Sequence, residues 1–274
     1  MRINNNLMAM NTHRQLGLSN TASSKSMEKL SSGYRINRAG DDAAGLSISE
    51  KMRSQVRGLN QASRNAQDGI SMIQTAEGAL NETQAILQRM RELAVQSAND
   101  TNETNDRTAI KDELEELVDE IDRIAESTTF NEKTLLDGTL ATSGANFQIG
   151  ADCGVSMDLT INTMDAEALT VNNVFDSVDT YDNATAAIDT IDTAIKEVSS
   201  ERSKLGANQN RLDHTIKNLD NATENIQAAE SRVRDVDMAQ EMMELTKQNI
   251  LQQASTAMLA QANMAPQGVL QLLG

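Results

Sequence analysis

The chain has 274 residues, a formal net charge of −16, one Pro, no Trp and an aromatic content of 2%. Its hydrophobic residues, 39% of the total, are mostly aliphatic or Met, which favours narrow helical bundles over one large globular core. Net charge is +5 over residues 1–60, −7 over 101–135 and −10 over 136–200, which argues against a nucleic-acid partner.

Several site classes and segments are also excluded by the sequence. Cys153 is the single Cys, so no internal disulfide can form, and no HExxH, CxxC or His/Cys cluster offers the spacing of metal ligands. We therefore expect no metal and no cofactor. No apolar run is long enough for a secretory signal or a bilayer span, so we expect no membrane partner. On these facts alone the protein is either soluble and cytoplasmic or exported by a route that reads no such signal.

Residues 3–33 carry a loose apolar pattern that predicts a weakly amphipathic helix. Its apolar positions are Ile3, Leu7, Met10, Leu18, Met27 and Leu30. Small and turn-forming residues interrupt the pattern from Ser31 to Gly45, so we interpret residues 34–46 as a compact connector. A phosphate-binding loop is disfavoured there because the GxxxxGK[ST] pattern is missing.

Two further helices are predicted between Ser47 and Ser127. The first extends to Gln96, and the second follows the polar turn at 99–105, where several residues could serve as N-caps. The outer face of the second helix is rich in Asp and Glu. A cation site is conceivable, but a solvated helix face is the favoured interpretation.

Between Phe130 and Phe175 the hydrophobic period changes from helical to two. Val155, Met157, Leu159 and Ile161 alternate with polar residues, and residues 147–149 form a matching run. This pattern predicts a β-hairpin with Cys153 in its turn as an incidental exposed thiol. All three Phe fall in this segment, as a small sheet pinned against helices requires.

The longest row of residues at heptad spacing, which we call the seam, extends from Ile188 to Val233, over 46 residues without Pro. Apolar positions alternate three and four apart, which predicts a helix of roughly 70 Å whose stripe needs partner helices. Polar residues interrupt the seam at Arg202, Gln209, Thr223 and Glu230. They indicate either that register is specified or that several helices share the space.

The terminal segment, Met238 to Leu273, is rich in Ala, Gln, Asn and Met, like the first 33 residues. Its apolar anchors are Met242, Leu245, Ile250, Met258, Leu259 and Met264. Both ends are predicted to be marginal helices that become stable by pairing with each other and with neighbouring copies. The 14 Met residues suit adaptable packing better than a cofactor role.

No catalytic constellation is found in the sequence. His13 and His214 lie on separate helical segments without a nucleophile motif, and the carboxylates lie on exposed helix faces. The chain is therefore not expected to be an enzyme.

Long, ordered stretches of both ends resemble bacterial flagellin. The matching residues cover most of 1–150 and 185–274, and the clearest runs are 4–6, 30–37, 39–46, 88–99, 120–124, 129–131, 205–212 and 269–273. Larger members insert outer domains where this chain has a short hairpin region, so it is similar to a minimal flagellin without outer domains.

The resemblance implies a mainly α fold of long antiparallel, coiled-coil-like helical rods with a small β-hairpin region at about 130–175. Residues 1–33 and 238–274 would form a separate inner coiled-coil layer that is disordered in the monomer, and residues 47–237 the rod domain. The implied function is a secreted subunit that polymerises into the extracellular flagellar filament and serves swimming motility. The implied partners are further copies, the flagellar type III export system with its chaperone, and the cap and hook-associated proteins.

The resemblance also implies recognition by host innate immune sensors. Arg89, Leu93 and Glu113 match the patch read by the flagellin-sensing Toll-like receptor, and the same residues could serve packing between subunits. A C-terminal motif matches the one read by the cytosolic inflammasome sensor, with inner-layer packing as its simpler role. That motif consists of Val269, Leu270, Leu272 and Leu273.

Two alternatives stay open at this point. A hook–filament junction protein has similar ends, but its matches to residues 88–99 and 205–212 should be weaker. A cytoplasmic coiled-coil adaptor would explain the seams but not the two marginal ends.

Overall fold

The computed structural model of the chain describes the backbone of residues 6–273 and the side chains of residues 6–265. Two compact units are present, one made of residues 1–54 and 225–274 and the other of residues 55–224. The helices are α1 (Leu7–Ser32), α2 (Ala43–Ser97), α3 (Thr104–Ser127), α4 (Thr139–Ser143), α5 (Tyr181–Arg234) and α6 (Met238–Leu273). The strands are β1 (Thr129–Phe130), β2 (Lys133–Thr134), β3 (Ala145–Gln148) and β4 (Ser156–Leu159), and a 3-10 helix spans Val174–Ser177.

In the unit that joins the two ends of the chain, α1 packs antiparallel along α6. Asn6 caps the start of α1, since its side-chain oxygen accepts a hydrogen bond from the backbone N–H of Ala9 at 3.2 Å. Gly33 ends the helix in the left-handed conformation, with φ of 75°, and its N–H donates to the carbonyl of Lys29. A short connector then leads to α2.

The connector is held by hydrogen bonds to one carboxylate and by one buried side chain. Asp41 accepts from the backbone N–H groups of Asn37 and Arg38 at 3.3 and 3.0 Å. Ile36 is buried and lies against Gly45. A Cβ added to Gly45 would lie 2.8 Å from the Cδ1 atom of Ile36. These contacts hold the connector residues together, and α2 begins at Ala43, inside the range 34–46.

The core of the second unit lies between α2, α3 and α5. On α5 the buried positions recur every seven residues, at Ile191, Val198, Leu205, Leu212 and Leu219. The other seam positions are half-buried. Among them, Arg202 donates to the side chain of Gln84 and lies 3.7 Å from Glu77, both on α2. The polar interruptions thus fix neighbouring helices against one another.

A small sheet covers one side of this bundle, as the change of period predicts. Strands β3 and β4 pair antiparallel, with Phe147 opposite Met157. Met157 and Leu159 are buried while Ser156 and Asp158 are exposed, which is the predicted alternation. Phe130, Phe147 and Phe175 all pack against the core. The free thiol of Cys153 is exposed in the turn.

Three features of this unit were not predicted from the sequence. They are the two-residue pairing of β1 with β2, the short α4, and the loop over 160–180, which contributes seven buried apolar side chains to the core. The loop is tied down by Glu201, whose carboxylate is 2% exposed and accepts hydrogen bonds from the backbone and side chain of Asn162. A buried carboxylate needs such donors because its charge is costly to desolvate.

Candidate assembly surface

The seam between α1 and α6 is built from small polar side chains. Ser19, Ser23 and Ser26 are the buried residues of α1, and on α6 the described residues bury Ala262. The hydroxyl of Ser23 donates to the side-chain oxygen of Asn249 at 3.3 Å. Small residues let the two helices approach closely, but the seam removes little apolar surface from water.

Most large apolar side chains of the same two helices are exposed, while Leu16, Leu30, Leu245 and Leu259 are half-buried. Of seventeen large hydrophobic side chains that the described residues leave exposed, twelve lie on α1 and α6. They are Leu7, Met8, Met10, Leu18, Met27, Met238, Met242, Met243, Ile250, Leu251, Met258 and Met264. We call this set the terminal apolar face.

One part of the terminal apolar face forms a shallow depression on α6. It is lined by Met242, Met243, Thr246, Lys247 and Ile250 and encloses about 410 Å³. Met243 is 68% exposed and Ile250 is 60% exposed, so little within the chain covers them. Apolar surface of this extent on a folded chain marks an interaction site.

The apolar positions predicted for the first helix are therefore only partly used inside the chain. Leu7, Met10, Leu18 and Met27 are exposed and Leu30 is half-buried, while Ile3 lies outside the described residues. The buried seam follows Ser residues that hydrophobic periodicity cannot identify, because that method scores apolar residues only. The spacing 19, 23, 26 was the available signal.

The predicted receptor patch is partly assembled. Arg89 of α2 donates to the carboxylate of Glu113 of α3 at 2.8 and 3.0 Å, and both side chains are about half exposed. Glu113 and, next, Glu92 raise the pKa of Arg89, so the group stays charged. Leu93 is 2% exposed and belongs to the core instead, because it lies on the face of α2 turned toward the bundle.

The predicted C-terminal motif falls on the last turns of α6. The side chains of Val269, Leu270, Leu272 and Leu273 lie outside the described residues. Within the described part of the chain, no group of three or more His, Cys, Asp or Glu is arranged to hold a metal ion. Among the same residues, none of the helices combines the length and apolar character needed to cross a membrane.

Models of two protein families match this chain. The bacterial flagellin N-terminal helical region matches residues 3–141, and the bacterial flagellin C-terminal helical region matches residues 188–273. The chain belongs to the bacterial flagellin family. Both helices that carry the terminal apolar face lie within these matched regions of the flagellin.

Curated relatives match the flagellin over its full length. A flagellin of Halalkalibacterium halodurans is 61% identical over 273 residues, and one of Bacillus subtilis is 54% identical over 305 residues. Each match covers 100% of both chains. A flagellar filament 33 kDa core protein of Treponema phagedenis is 53% identical over 285 residues, again with 100% coverage of both.

A solved structure agrees with this flagellin in fold. It is assigned to a flagellar hook-associated protein of Vibrio parahaemolyticus and superimposes with a TM-score of 0.61 at 15% identity. The match covers 71% of this chain and 100% of that one. At this identity the likeness shows the fold alone.

As a flagellin, the chain is a structural subunit that polymerises into the bacterial flagellar filament and serves motility. It is not an enzyme, its filament is extracellular, and it associates with other flagellar proteins. The full-length identity to flagellins decides against the hook–filament junction protein and the cytoplasmic adaptor. The predicted fold class, mainly α with long helices and a small hairpin, is confirmed.

Proposed function

We propose that this flagellin polymerises through its terminal helices, with residues 1–33 and 238–274 forming the inner layer of the filament. Residues 47–237 then form the surrounding layer, and residues 34–46 connect the two. The observation that carries this proposal is the terminal apolar face, which gathers twelve large exposed side chains on α1 and α6.

The Ser seam between α1 and α6 and the terminal apolar face differ in the free energy that their burial contributes. Fully burying one Leu, Ile or Met side chain contributes about 1.5–3 kcal/mol, and the seam of Ser residues within the chain offers little of this. Neighbouring copies that cover the terminal apolar face supply it. Because an isolated helix pair with a polar seam is marginal in water, the ends of the monomer are disordered until assembly.

The test replaces two residues of the face and follows seeded growth by electron microscopy. Met243→Gln and Ile250→Gln place an amide where a neighbour would bury an apolar group, and we expect growth to slow at least tenfold. Val95→Gln and Val155→Gln are matched controls, since these residues are 49% and 47% exposed but lie outside the terminal helices. Equal growth of both pairs would contradict the proposal.

We propose that the export chaperone binds α6 in the cytoplasm. An apolar helix that must stay unpolymerised needs a partner to cover it, and Met-rich faces adapt to different partners. Met243→Gln is expected to weaken chaperone binding in calorimetry while Val95→Gln leaves it unchanged. The filament cap and hook-associated proteins, which meet the ends of the polymer, are proposed to contact the same terminal helices.

We propose that the exposed pair Arg89 and Glu113 is read by the flagellin-sensing Toll-like receptor, with Leu93 supporting the patch from the core. The support for this is their proximity and exposure. Arg89→Glu in the monomer is expected to lower receptor activation in a reporter assay. Arg91→Glu is the control, because Arg91 is similarly exposed and pairs with Asp192 of α5 instead. Equal loss in both variants would contradict the assignment.

We propose in addition that Val269, Leu270, Leu272 and Leu273 pack in the inner layer and are read by the cytosolic inflammasome sensor in free subunits. The support is that these residues lie within the region that matches the flagellin C-terminal family model, residues 188–273. Replacing Leu270 and Leu272 with Gln is expected to impair both filament growth and sensor activation. A variant that loses neither would contradict this assignment.

A further inference from the structure

The residues that follow α1 pair with the residues at the end of α5, just before α6 begins. The N–H of Arg35 donates to the carbonyl of Arg234 at 2.7 Å, and the N–H of Val236 donates to the carbonyl of Gly33 at 3.0 Å. Tyr34 and Asp235 are the antiparallel bridge partners between them. We call residues 33–35 and 233–236 the terminal bridge.

The side chains of the terminal bridge lock it in one arrangement. The guanidinium of Arg234 lies 4.7 Å from the centroid of the Tyr34 ring and donates to the carboxylate of Glu50 at 2.9 Å. The Arg234 side chain is only 14% exposed, and its Nε atom is buried without a hydrogen-bond partner. Stacking on the aromatic face is therefore a main attraction that holds this cation in place.

The seam between α1 and α6 specifies its own register weakly. The described residues of α1 that are fully buried in it, Ser19, Ser23 and Ser26, are all small, so no large interlocked side chain of α1 opposes a shift by one turn. Packing of this kind leaves alternative registers close in free energy unless a separate feature excludes them. The seam thus needs a reference point.

The terminal bridge lies where such a reference point is required. Beyond the pairing of Tyr34 with Asp235, three further contacts follow one another along α1 and α6. They are Lys29 with Glu241, Ser23 with Asn249, and Asn6 with the carbonyl of Ala262. Gly33 directly follows α1, and α6 begins at Met238, so no long flexible segment separates the bridge from either helix.

We propose that Tyr34 and Arg234 are positioning residues for filament assembly, which fix the register in which α1 and α6 pack. A single register fixes where the exposed apolar side chains of α1 lie relative to those of α6. This inference rests on the proposed role of the terminal helices as the assembling layer. It assigns to the terminal bridge a role that exposure or hydrophobicity alone does not reveal.

The test measures register by disulfide cross-linking in seeded filaments. In a Cys153→Ser background, Ser23→Cys is combined either with Asn249→Cys, its native partner, or with Gln252→Cys, almost one turn further along α6. With the terminal bridge intact, we expect the native pair to cross-link at least tenfold more than the displaced pair. Tyr34→Leu and Arg234→Gln are expected to reduce this ratio about tenfold and to slow growth by a similar factor.

Two variants separate a positioning role from a general loss of folding. Tyr34→Phe keeps the aromatic face and should restore the native ratio. Arg232→Gln removes the same charge from an exposed residue in the same helical turn and should leave the ratio within about twofold of the parent. For a variant that does not grow, the ratio is measured on monomer in trimethylamine oxide, which favours packed states.

A native cross-linking ratio and parental growth in both Tyr34→Leu and Arg234→Gln would overturn the proposal. So would equal losses in Arg232→Gln. Failure of the proposed function gives a different pattern, since Met243→Gln and Ile250→Gln would then assemble normally whatever the cross-linking ratio.

Discussion

At the scale of single residues, Gly58 shows how α2 makes room for the hairpin that packs on it. A Cβ at Gly58 would lie 2.8 Å from the Cβ of Ala151 in the hairpin turn and 3.2 Å from its Cα. About two turns further along α2, the side-chain amide of Asn65 donates to the carbonyl of Gln148 at 3.0 Å. The turn is thus seated directly on the helix backbone.

Gly58→Ala and Gly78→Ala are expected to have different effects on stability. At Gly78 a Cβ meets nothing within 4 Å, so Ala should stabilise the helix by up to about 1 kcal/mol. At Gly58 the clash should cancel that gain and cost about 1–3 kcal/mol. Urea unfolding monitored by circular dichroism measures both, and equal stabilisation would show that the turn is not seated on α2.

Asp41 gives the connector a pH dependence. The hydrogen bond from the backbone N–H of Arg38 holds the pKa of Asp41 below its ordinary value of 3.8. The backbone N–H of Asn37 lowers this pKa further, as do the positive charges of Lys25 and Lys29. A depressed folded pKa means that the stabilisation is present above about pH 3.8 and is lost as pH falls through the lowered pKa.

We therefore expect the amide signals of Asn37 and Arg38 to shift in an NMR titration with a midpoint below 3.8, and Asp41→Asn to abolish that shift. A midpoint at or above 3.8 would contradict the hydrogen bonds described for this turn.

At the scale of elements, the heptad seam of α5 carries the core of the second unit. Leu205 is fully buried in this core, so Leu205→Ala should lower the free energy of unfolding by about 2–5 kcal/mol. Val95→Ala, at a side chain that is 49% exposed, should change it by less than about 0.5 kcal/mol. Similar values for both variants in urea unfolding would argue against the seam as the core.

The element scale also shows what sequence reasoning can reach. The long helices and the β3–β4 hairpin follow from periodicity, because Leu205 and Leu212 or Met157 and Leu159 recur at spacings that only one secondary structure can bury. Periodicity could not predict the hydrogen bonds that Glu201 accepts from the 160–180 loop, nor the Ser seam of α1. Each depends on a partner distant in sequence, Asn162 for the first and Asn249 for the second.

The candidate site illustrates the same limit. The resemblance groups Arg89 and Glu113 in one receptor patch, and the structure shows an ion pair between them, while the role of the patch stays a prediction. Resemblance could not show that Leu93 is buried, because a motif match carries no information about which side of α2 faces the core. The terminal bridge was missed because Tyr34 and Arg234 belong to no periodic pattern.

At the scale of the whole molecule, different parts of the chain serve subunit stability and assembly. The buried core between α2, α3 and α5 stabilises the subunit, while α1 and α6 are proposed to serve the polymer. Removing residues 1–33 or 238–274 should therefore abolish seeded filament growth while leaving the urea unfolding of the remaining bundle close to that of the full chain. Growth of either truncated chain into filaments, seen by electron microscopy, would argue against this division.

The most direct measurement is a cryo-electron microscopy map of the filament at side-chain resolution. We expect α1 and α6 to form the inner layer of the filament, with Met243 and Ile250 buried against neighbouring copies and Ser23 still paired with Asn249. A map in which the terminal apolar face lies toward solvent, or in which the inner layer is made by residues 55–224, would contradict it.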